Sequence, residues 1–478
     1  MSQTESEPDV TTSLNRSVAA DGTEELTQLF YQSGIWSEET PLHLLSPEPM
    51  FLSPSQIHRL ESLGEAIYSF YAALNHLYLR KGHEWAAEIL DIGKPEWLIE
   101  MARMNFQKRH LPRIIRPDLM MAEDDFWITE LDSVPGGAGQ TALMAGWYAR
   151  QGYPVVGGGD GIPSNFAAVL EELSESENWA AAILVSDEAK DYRPEHRYLA
   201  DRLRDYGKNV FCLHPREVIF NEEGLWVEDG GRMENLDVIW RFFELFDLKN
   251  IAKQELVAYA AKKKRTVVNP PYKAFLEEKL ALALFQHPAL QAFWKLEMGD
   301  NYELLAASIP PSWIVDSSAV PPHAEISGLR FRGIPVRNYL DLKDASQKER
   351  RLVLKPSGFS PQAWGARGVV VGHDVSSEDW GQALEQALAS YQTTPYVLQE
   401  FKEGRRLNLQ AYNPRTRETK AFSGRARLSP YYYVHGDRPR LAGVLATICP
   451  PEKKIIHGMT DAVMTVCAEG RGESVSTG

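Results

Sequence analysis

Cysteine is scarce: three residues among 478, Cys212, Cys449 and Cys467, lie far apart and form no Cys-x-x-Cys pair. A disulfide framework and a cysteine metal site are thereby excluded, and a reducing compartment is expected. Positive charge is also short, with 51 Lys and Arg against 65 Asp and Glu, for a formal charge of −14. That balance argues against a nucleic-acid partner, because phosphate backbones are bound through clustered Lys and Arg. The one basic run, Lys262-Lys263-Lys264-Arg265, reads as a solvated helix end. No run approaches the roughly 18 apolar residues of a membrane-spanning helix. The opening MSQTESEPDVTTSLNRSVAADGTEE is polar and lacks the basic start and apolar core of a signal peptide. A disordered tail over 1–25 and a cytoplasmic location are expected. Several catalytic signatures are missing too. His83-Glu84 has no second His to complete H-E-x-x-H, and neither a G-x-S-x-G elbow nor a Walker A loop occurs.

What is present is an ordinary globular composition, 44% hydrophobic and 24% charged, long enough for two or three domains. Ser53-Pro54-Ser55-Gln56 has the pattern of a capping box with Pro at the first helical position, and Ile57, Leu60, Leu63, Ile67, Tyr71, Leu74 and Leu77 follow on one face. A helix is predicted there as far as Gly82. Farther on, AAILVS (181–186), an amphipathic helix Pro194–Tyr206 and NVFCL (209–213) read as a βαβ unit. The stretch 250–300 reads as mostly helical, and prolines mark loops near 310–323. Strands are expected at 351–356, 368–372, 396–401 and 406–412, with a helix Glu378–Tyr391 between the second and third.

Residues 116–137, RPDLMMAEDDFWITELDSVPGG, carry Arg116, Asp118, Glu130 and Asp132 inside two strand-like runs joined by an acidic turn, Ala122–Asp125. Residues two apart share a strand face. A turn centred near residue 124 sets Arg116 opposite Asp132 and Asp118 opposite Glu130. Carboxylates facing each other across a hairpin repel unless one is protonated or a divalent cation lies between them. Magnesium suits such a site, since it takes one or two carboxylates and completes its shell with water and phosphate. Arg116 is then free to meet a phosphate or to orient Asp132. The plain alternative is a charged, solvent-facing hairpin.

Four further stretches carry possible chemistry. In LVLKPSGFSPQAWGARGVVVG a strand delivers Lys355, and Gly358, Gly365 and Gly368 punctuate the loop before the next strand. Such a loop lets backbone N–H groups fold over phosphates while the lysine supplies a point charge; a long plain hairpin is the alternative. YVLQEF, ending in Gln399, Glu400 and Phe401, offers a strand edge to an adenine ring, or is simply a core strand. Lys279 opens an apolar helix and either snorkels to solvent or faces a ligand. Arg425 and Arg427 lie in FSGRARLSPYYY, within reach of phosphates or on a surface hairpin. A competing signal is Gly137-Ala138-Gly139-Gln140-Thr141-Ala142 with Asp160 about 20 residues on, which satisfies a dinucleotide fingerprint. TELDSV before it is too polar for a central Rossmann strand. The loop could still hold an anion, such as a substrate carboxylate, at the start of a helix Thr141–Arg150.

Taken in order, these pieces resemble the circularly permuted ATP-grasp family, in particular the synthetase domain of glutathionylspermidine synthase, over roughly residues 100–460. The resemblance rests on Arg116, Asp118, Glu130 and Asp132 with the Pro turn after them, on Lys279 before LALALFQHPAL, and on Lys355-Pro356 with its Gly loop and YVLQEF. It implies an α+β (α/β) fold with ATP between two lobes, the βαβ region being an additional Rossmann-like unit. It implies magnesium at Asp118, Glu130 and Asp132, and phosphate contacts from Lys279 and Lys355. Further nucleotide contacts would come from Gly358, Gly365, Arg367 and Gly368, with Gln399, Glu400 and Phe401 at the adenine. Arg116 and Arg427 would serve the reaction centre. The implied activity is an ATP- and magnesium-dependent carbon–nitrogen ligation, joining a small-molecule or peptide carboxylate to an amine through an acyl-phosphate. Two positions depart from the family: Asp132 stands where Asn is commoner, and Arg367 where related chains carry Lys. The first hundred residues show no Cys/His nucleophile pair, so the amidase half of the bifunctional enzyme is not expected here and glutathione and spermidine are not carried over. A catalytically silent nucleotide-binding protein of the same fold is the alternative, and a dinucleotide oxidoreductase a third. The expected divisions are 26–150 for the N-terminal helices and the hairpin, 151–260 for the α/β region, 261–460 for the nucleotide lobes and 461–478 for a helix end and tail.

Overall fold

The capping box at Ser53 is formed in the computed structural model: Ser53 Oγ accepts the Gln56 backbone N–H at 3.2 Å and Gln56 Oε1 accepts that of Ser53 at 3.0 Å. The helix it opens runs Pro54–Leu79, with Leu60, Leu63, Ile67, Tyr71, Leu74 and Leu77 all buried. The structure describes residues 22–38, 43–123, 125–174, 176–317, 324–357, 359–363, 367–453, 455–456 and 461–470. Asp124, Gly358 and Gly365 lie outside these, as do most of the 310–323 prolines' surroundings from 318 on. Residues 22–32 are helical and bury Leu26 and Phe30, so 22–25 belong to a helix and not to the tail expected over 1–25.

The long helix lies against the largest sheet, sharing a core with Leu428, Val444 and Ala446 of its strands and with Phe285 and Trp294 of two later helices. Burial of these side chains, about 1.5–3 kcal/mol each, is what holds the hairpin's sheet to the helical segment 280–298. That sheet runs in the order Arg406–Asn413, Leu44–Leu45, Val463–Glu469, Arg438–Cys449, Glu418–His435, Ile114–Met121, Phe126–Asp132, with Met50–Leu52 also pairing Val463–Glu469. The expected helix end beyond 461 is therefore corrected to a central strand. Val463–Cys467 is buried on both faces, and an apolar run of that length carries no period to separate strand from helix.

A second sheet is wholly parallel, in the order Val267–Asn269, Val238–Phe242, Ala180–Val185, Asn209–Leu213, with the helix Arg193–Asp205 crossing between its last two members. The chain enters at Ala180–Val185, steps to one side, then returns to the other. The carboxyl ends of Ala180–Val185 and Val238–Phe242 thus flank a topological switch point, where open α/β sheets leave a crevice. A third, antiparallel sheet orders Ser312–Val315, Tyr396–Glu400, Leu352–Pro356 and Val370–Val371. Trp380, Leu384 and Ala387 of the helix Ser377–Ala389 are buried against it. The stretch expected to be mostly helical carries helices Gln254–Lys262, Leu280–Phe285 and Gln291–Met298 and the 3-10 turns Ala274–Glu277 and Pro288–Leu290, interrupted by the strand Val267–Asn269.

Candidate active site

The hairpin pairs Arg116 with Asp132 and Asp118 with Glu130, and a bulge follows between Asp118 and Leu119. Repulsion across it is offset by the protein's own cations. Asp118, 7% exposed, faces Arg427 Nη1 at 3.0 Å and Arg116 Nε at 3.4 Å, and accepts the Ser429 hydroxyl at 2.9 Å. Burial pushes its carboxyl up, yet Arg427, Arg116 and Ser429 outweigh that and hold it below the usual carboxylate range. Asp132 accepts from Arg116 at 3.1 Å and from the Val134 N–H at 2.8 Å. For Asp132 burial wins over these partners, with Glu130 and Asp118 adding to the upward shift. Arg116 also donates to the Gly136 carbonyl at 2.7 Å.

Distant segments complete this wall. Lys279 reaches Glu130 at 2.7 Å and the Ala363 carbonyl at 2.8 Å. Lys355 donates to the Thr129 carbonyl at 3.0 Å and to Gln399 Oε1 at 2.7 Å. Its partners being neutral, burial lowers the ammonium's pKa to about 8. Gln399 is itself fixed by donating to Ser312 Oγ at 3.0 Å. Arg116, Asp118, Glu130, Asp132, Lys279, Lys355, Gln399, Glu400, Phe401 and Arg427 all line one cavity of about 560 Å³. Arg367 and Gly368 are not among its described lining. Arg367 pairs with Glu188, 3.3 Å away beyond the strand Ala180–Val185 and itself on the cavity wall, and Gly368 lies against Pro356 at the loop's root.

The opposite wall comes from the switch point: Ser186, Glu188, Ala189 and Tyr192 on one side, Phe242, Phe243, Glu244 and Phe246 on the other. Sequence reasoning passed over these. The available signal was an acid, Glu244, directly after an apolar parallel strand, where crevice residues fall. Glu244 is pushed up to about 8 by burial, then by Glu277 and Asp132. Glu277 is raised by burial, although Arg241 pairs with it. Also missed were Ser133 and Thr447, whose buried hydroxyls line the cavity and find no hydrogen-bond partner among the described residues.

Do these residues suit a nucleotide and a hard cation? Arg116 Nε and Arg427 Nε are buried without a hydrogen-bond acceptor, and among the described residues Lys355 has no carboxylate within ion-pair distance. Unmet donors of this kind match phosphoryl oxygens. Among the described residues no three His, Cys, Asp or Glu side chains converge enough to hold a metal alone. The all-oxygen donors fit magnesium that brings phosphate ligands with it. Glu130 is the most available of the three hairpin acids: its side chain is 42% exposed, and among the described residues it pairs with Lys279 alone.

The dinucleotide reading is overturned. The strand before Gly137 is the hairpin's Phe126–Asp132, at the edge of a mixed sheet, and Asp160 pairs with Arg202 at 3.4 Å. The helix is Ala138–Arg150, and an anion does sit at its N-terminus, but it belongs to the protein: Glu195 accepts from Gly137 N at 2.6 Å and from Gln140 N at 3.3 Å. No helix among the described residues is long and apolar enough to cross a membrane.

No protein-family model matches the chain, and no curated protein sequence does. Among solved structures, a glutathione synthetase-like effector from Globodera pallida, in its apo form, superposes with a TM-score of 0.56 at 10% identity, over 98% of each chain. A protein of Methylobacillus flagellatus with a gamma-glutamylcysteine synthetase assignment gives 0.36 at 12% identity over 84% of each, too low to carry an argument. The chain thus shares the overall mixed α/β fold of a glutathione synthetase-like protein, in keeping with an ATP-grasp-like architecture.

Proposed function

We propose that the protein is an ATP- and magnesium-dependent carboxylate–amine ligase whose ATP-grasp lobes follow a circularly permuted order. One observation carries the reading: Arg116, Arg427, Lys279 and Lys355, from four separate segments, face a single cavity beside three hairpin acids. A carboxylate is a poor electrophile. Transfer of a phosphoryl group to one of its oxygens releases ADP and leaves an acyl-phosphate; an amine then attacks the acyl carbon, phosphate departs and the amine loses a proton. Lys355 and Lys279 would hold the nucleotide's phosphates, Gln399, Glu400 and Phe401 its base, and Arg116 and Arg427 the charge that develops at transfer. Asp118 would set the two arginines. Glu130 and Asp132 would hold magnesium, which when bound neutralises phosphate charge. The amine would approach from the Glu244 side.

The test is ADP release that requires both an acid and an amine, screened over acid–amine mixtures. Asp118→Asn and Lys355→Ala should each lower kcat by at least about 100-fold while leaving the fold intact. Full turnover in both variants refutes the assignment. A second reading, a nucleotide-binding protein without turnover, is favoured by the pairing of Asp118, Glu130 and Asp132 each with a cation of the protein itself. It predicts thermal stabilisation by ATP and no ADP from any mixture.

A further inference from the structure

The segment Pro135–Gly139 joins the hairpin to the helix Ala138–Arg150, and three separate contacts bind it to the start of the helix Arg193–Asp205. A Cβ on Gly136 would overlap the Tyr192 ring, and one on Gly139 would overlap the Glu195 carbonyl oxygen and Cβ. Gly137 takes φ +84, which turns its N–H toward the Glu195 carboxylate. On the other side of the loop, the Gly136 carbonyl accepts from Arg116 at 2.7 Å and from the Tyr431 hydroxyl at 2.7 Å. One short loop therefore has the parallel-sheet layer on one side and the arginine of the phosphoryl centre on the other.

We infer that Glu195 is a positioning residue: by clamping Gly137 and Gln140 it fixes the loop whose Gly136 carbonyl holds Arg116 in place, and so joins the crevice of the parallel sheet to the cationic wall. The inference takes Arg116 as part of the phosphate-binding centre proposed above. Glu195 is 5% exposed and its carboxylate finds only backbone N–H donors at the loop. Glutamine at this position keeps one acceptor oxygen but brings an amide N–H against donors, so it should hold the loop less well. The helix 193–205 also starts at the cavity, through Ala189 and Tyr192, so a molecule seated there presses on the same joint.

The clamp should depend on ionisation. Burial pushes Glu195 up to about 7, against the pull of the Gly137, Gln140 and Gly139 N–H groups and of Arg116. The other titratable groups facing it are Tyr192, Tyr431 and Tyr433, all raised and neutral in this range. The charged form is the better acceptor, so the clamp loosens as pH falls through about 7.

The test uses the full chain with inorganic pyrophosphate as the probe, which needs no knowledge of the acid or amine. Glu195→Ala should weaken pyrophosphate binding about tenfold, and in the Arg116→Ala background it should add nothing, since both act through one group. Glu195→Gln should fall between, and the ratio of wild-type to Glu195→Gln affinity should shrink below pH 7, whereas Glu195→Asp restores part of the loss. Hydrogen exchange at residues 136–141 should rise in Glu195→Ala while the long helix Pro54–Leu79 stays protected. Additive effects of the two alanines, unchanged exchange in the loop, or a folded wild-type protein that binds no pyrophosphate would overturn the inference. Coupling to Arg116 without any ADP from acid–amine mixtures would leave the clamp standing and remove only the ligase.

Discussion

Two glycine-rich loops offered the same invitation to phosphate, and they ended in opposite ways. Of the loop after Lys355, Phe359, Ala363 and Val369 line the cavity, and among the described residues Lys355 hydrogen-bonds neutral groups only. The loop at Pro135–Gly139 is filled by Glu195, and its glycines admit a neighbouring helix of the same chain. A glycine reports that something approaches the backbone closely; it does not report whether the visitor is a ligand or the protein.

The sharpest way to break this contrast is Lys355→Ala, which should weaken binding of a non-hydrolysable ATP analogue by about 100-fold or more in calorimetry, with no loss of thermal stability. Equal affinity in the variant would place the nucleotide elsewhere. Next in size is Gly139→Ala, expected to cost about 3 kcal/mol in denaturant unfolding, because the new Cβ meets the Glu195 backbone. A neutral substitution there would mean that the helix start can back away.

A smaller effect concerns pH. Lys355 carries its charge below about 8. Affinity for the analogue should therefore be full below that pH and fall by up to about tenfold per unit above it, a slope that Lys355→Arg abolishes. The smallest comes from Lys273, a buried lysine away from the cavity that donates to Asn75 Oδ1 and to the Lys108 and His110 carbonyls. Burial lowers it to about 7, below its unfolded value, so its charge opposes folding under that pH and the penalty lifts as pH rises toward about 10. Wild-type melting temperature should gain over that window relative to Lys273→Met; parallel curves would show the site to be wetter than its burial implies.

Much of the hairpin was legible in advance. Its period-two spacing set Arg116 against Asp132 and Asp118 against Glu130, and that register holds in the structure through a bulge, since the turn itself pairs Met121 with Phe126 and Leu119 with Ile128. The capping box at Ser53 was equally plain. Less legible was Val463–Glu469, a short apolar run without a period, and so was Arg367, whose partner Glu188 lies far off in the chain. Glu244 offered only its place just past the strand Val238–Phe242, while Ser133, Thr447 and Glu195 were not readable as site residues, since nothing in their local sequence says which layer will close over them.

By itself the sequence determined the local, periodic matters: which residues share a strand face, where the long helix begins, and that two lysines stand at the ends of apolar segments. Only the tertiary structure decided which charges are already paired, which helix start is already occupied and which wall faces the cavity. The reason is physical. Register and capping arise within a few residues, whereas the fate of a buried charge depends on whatever distant group arrives to share its low-dielectric surroundings.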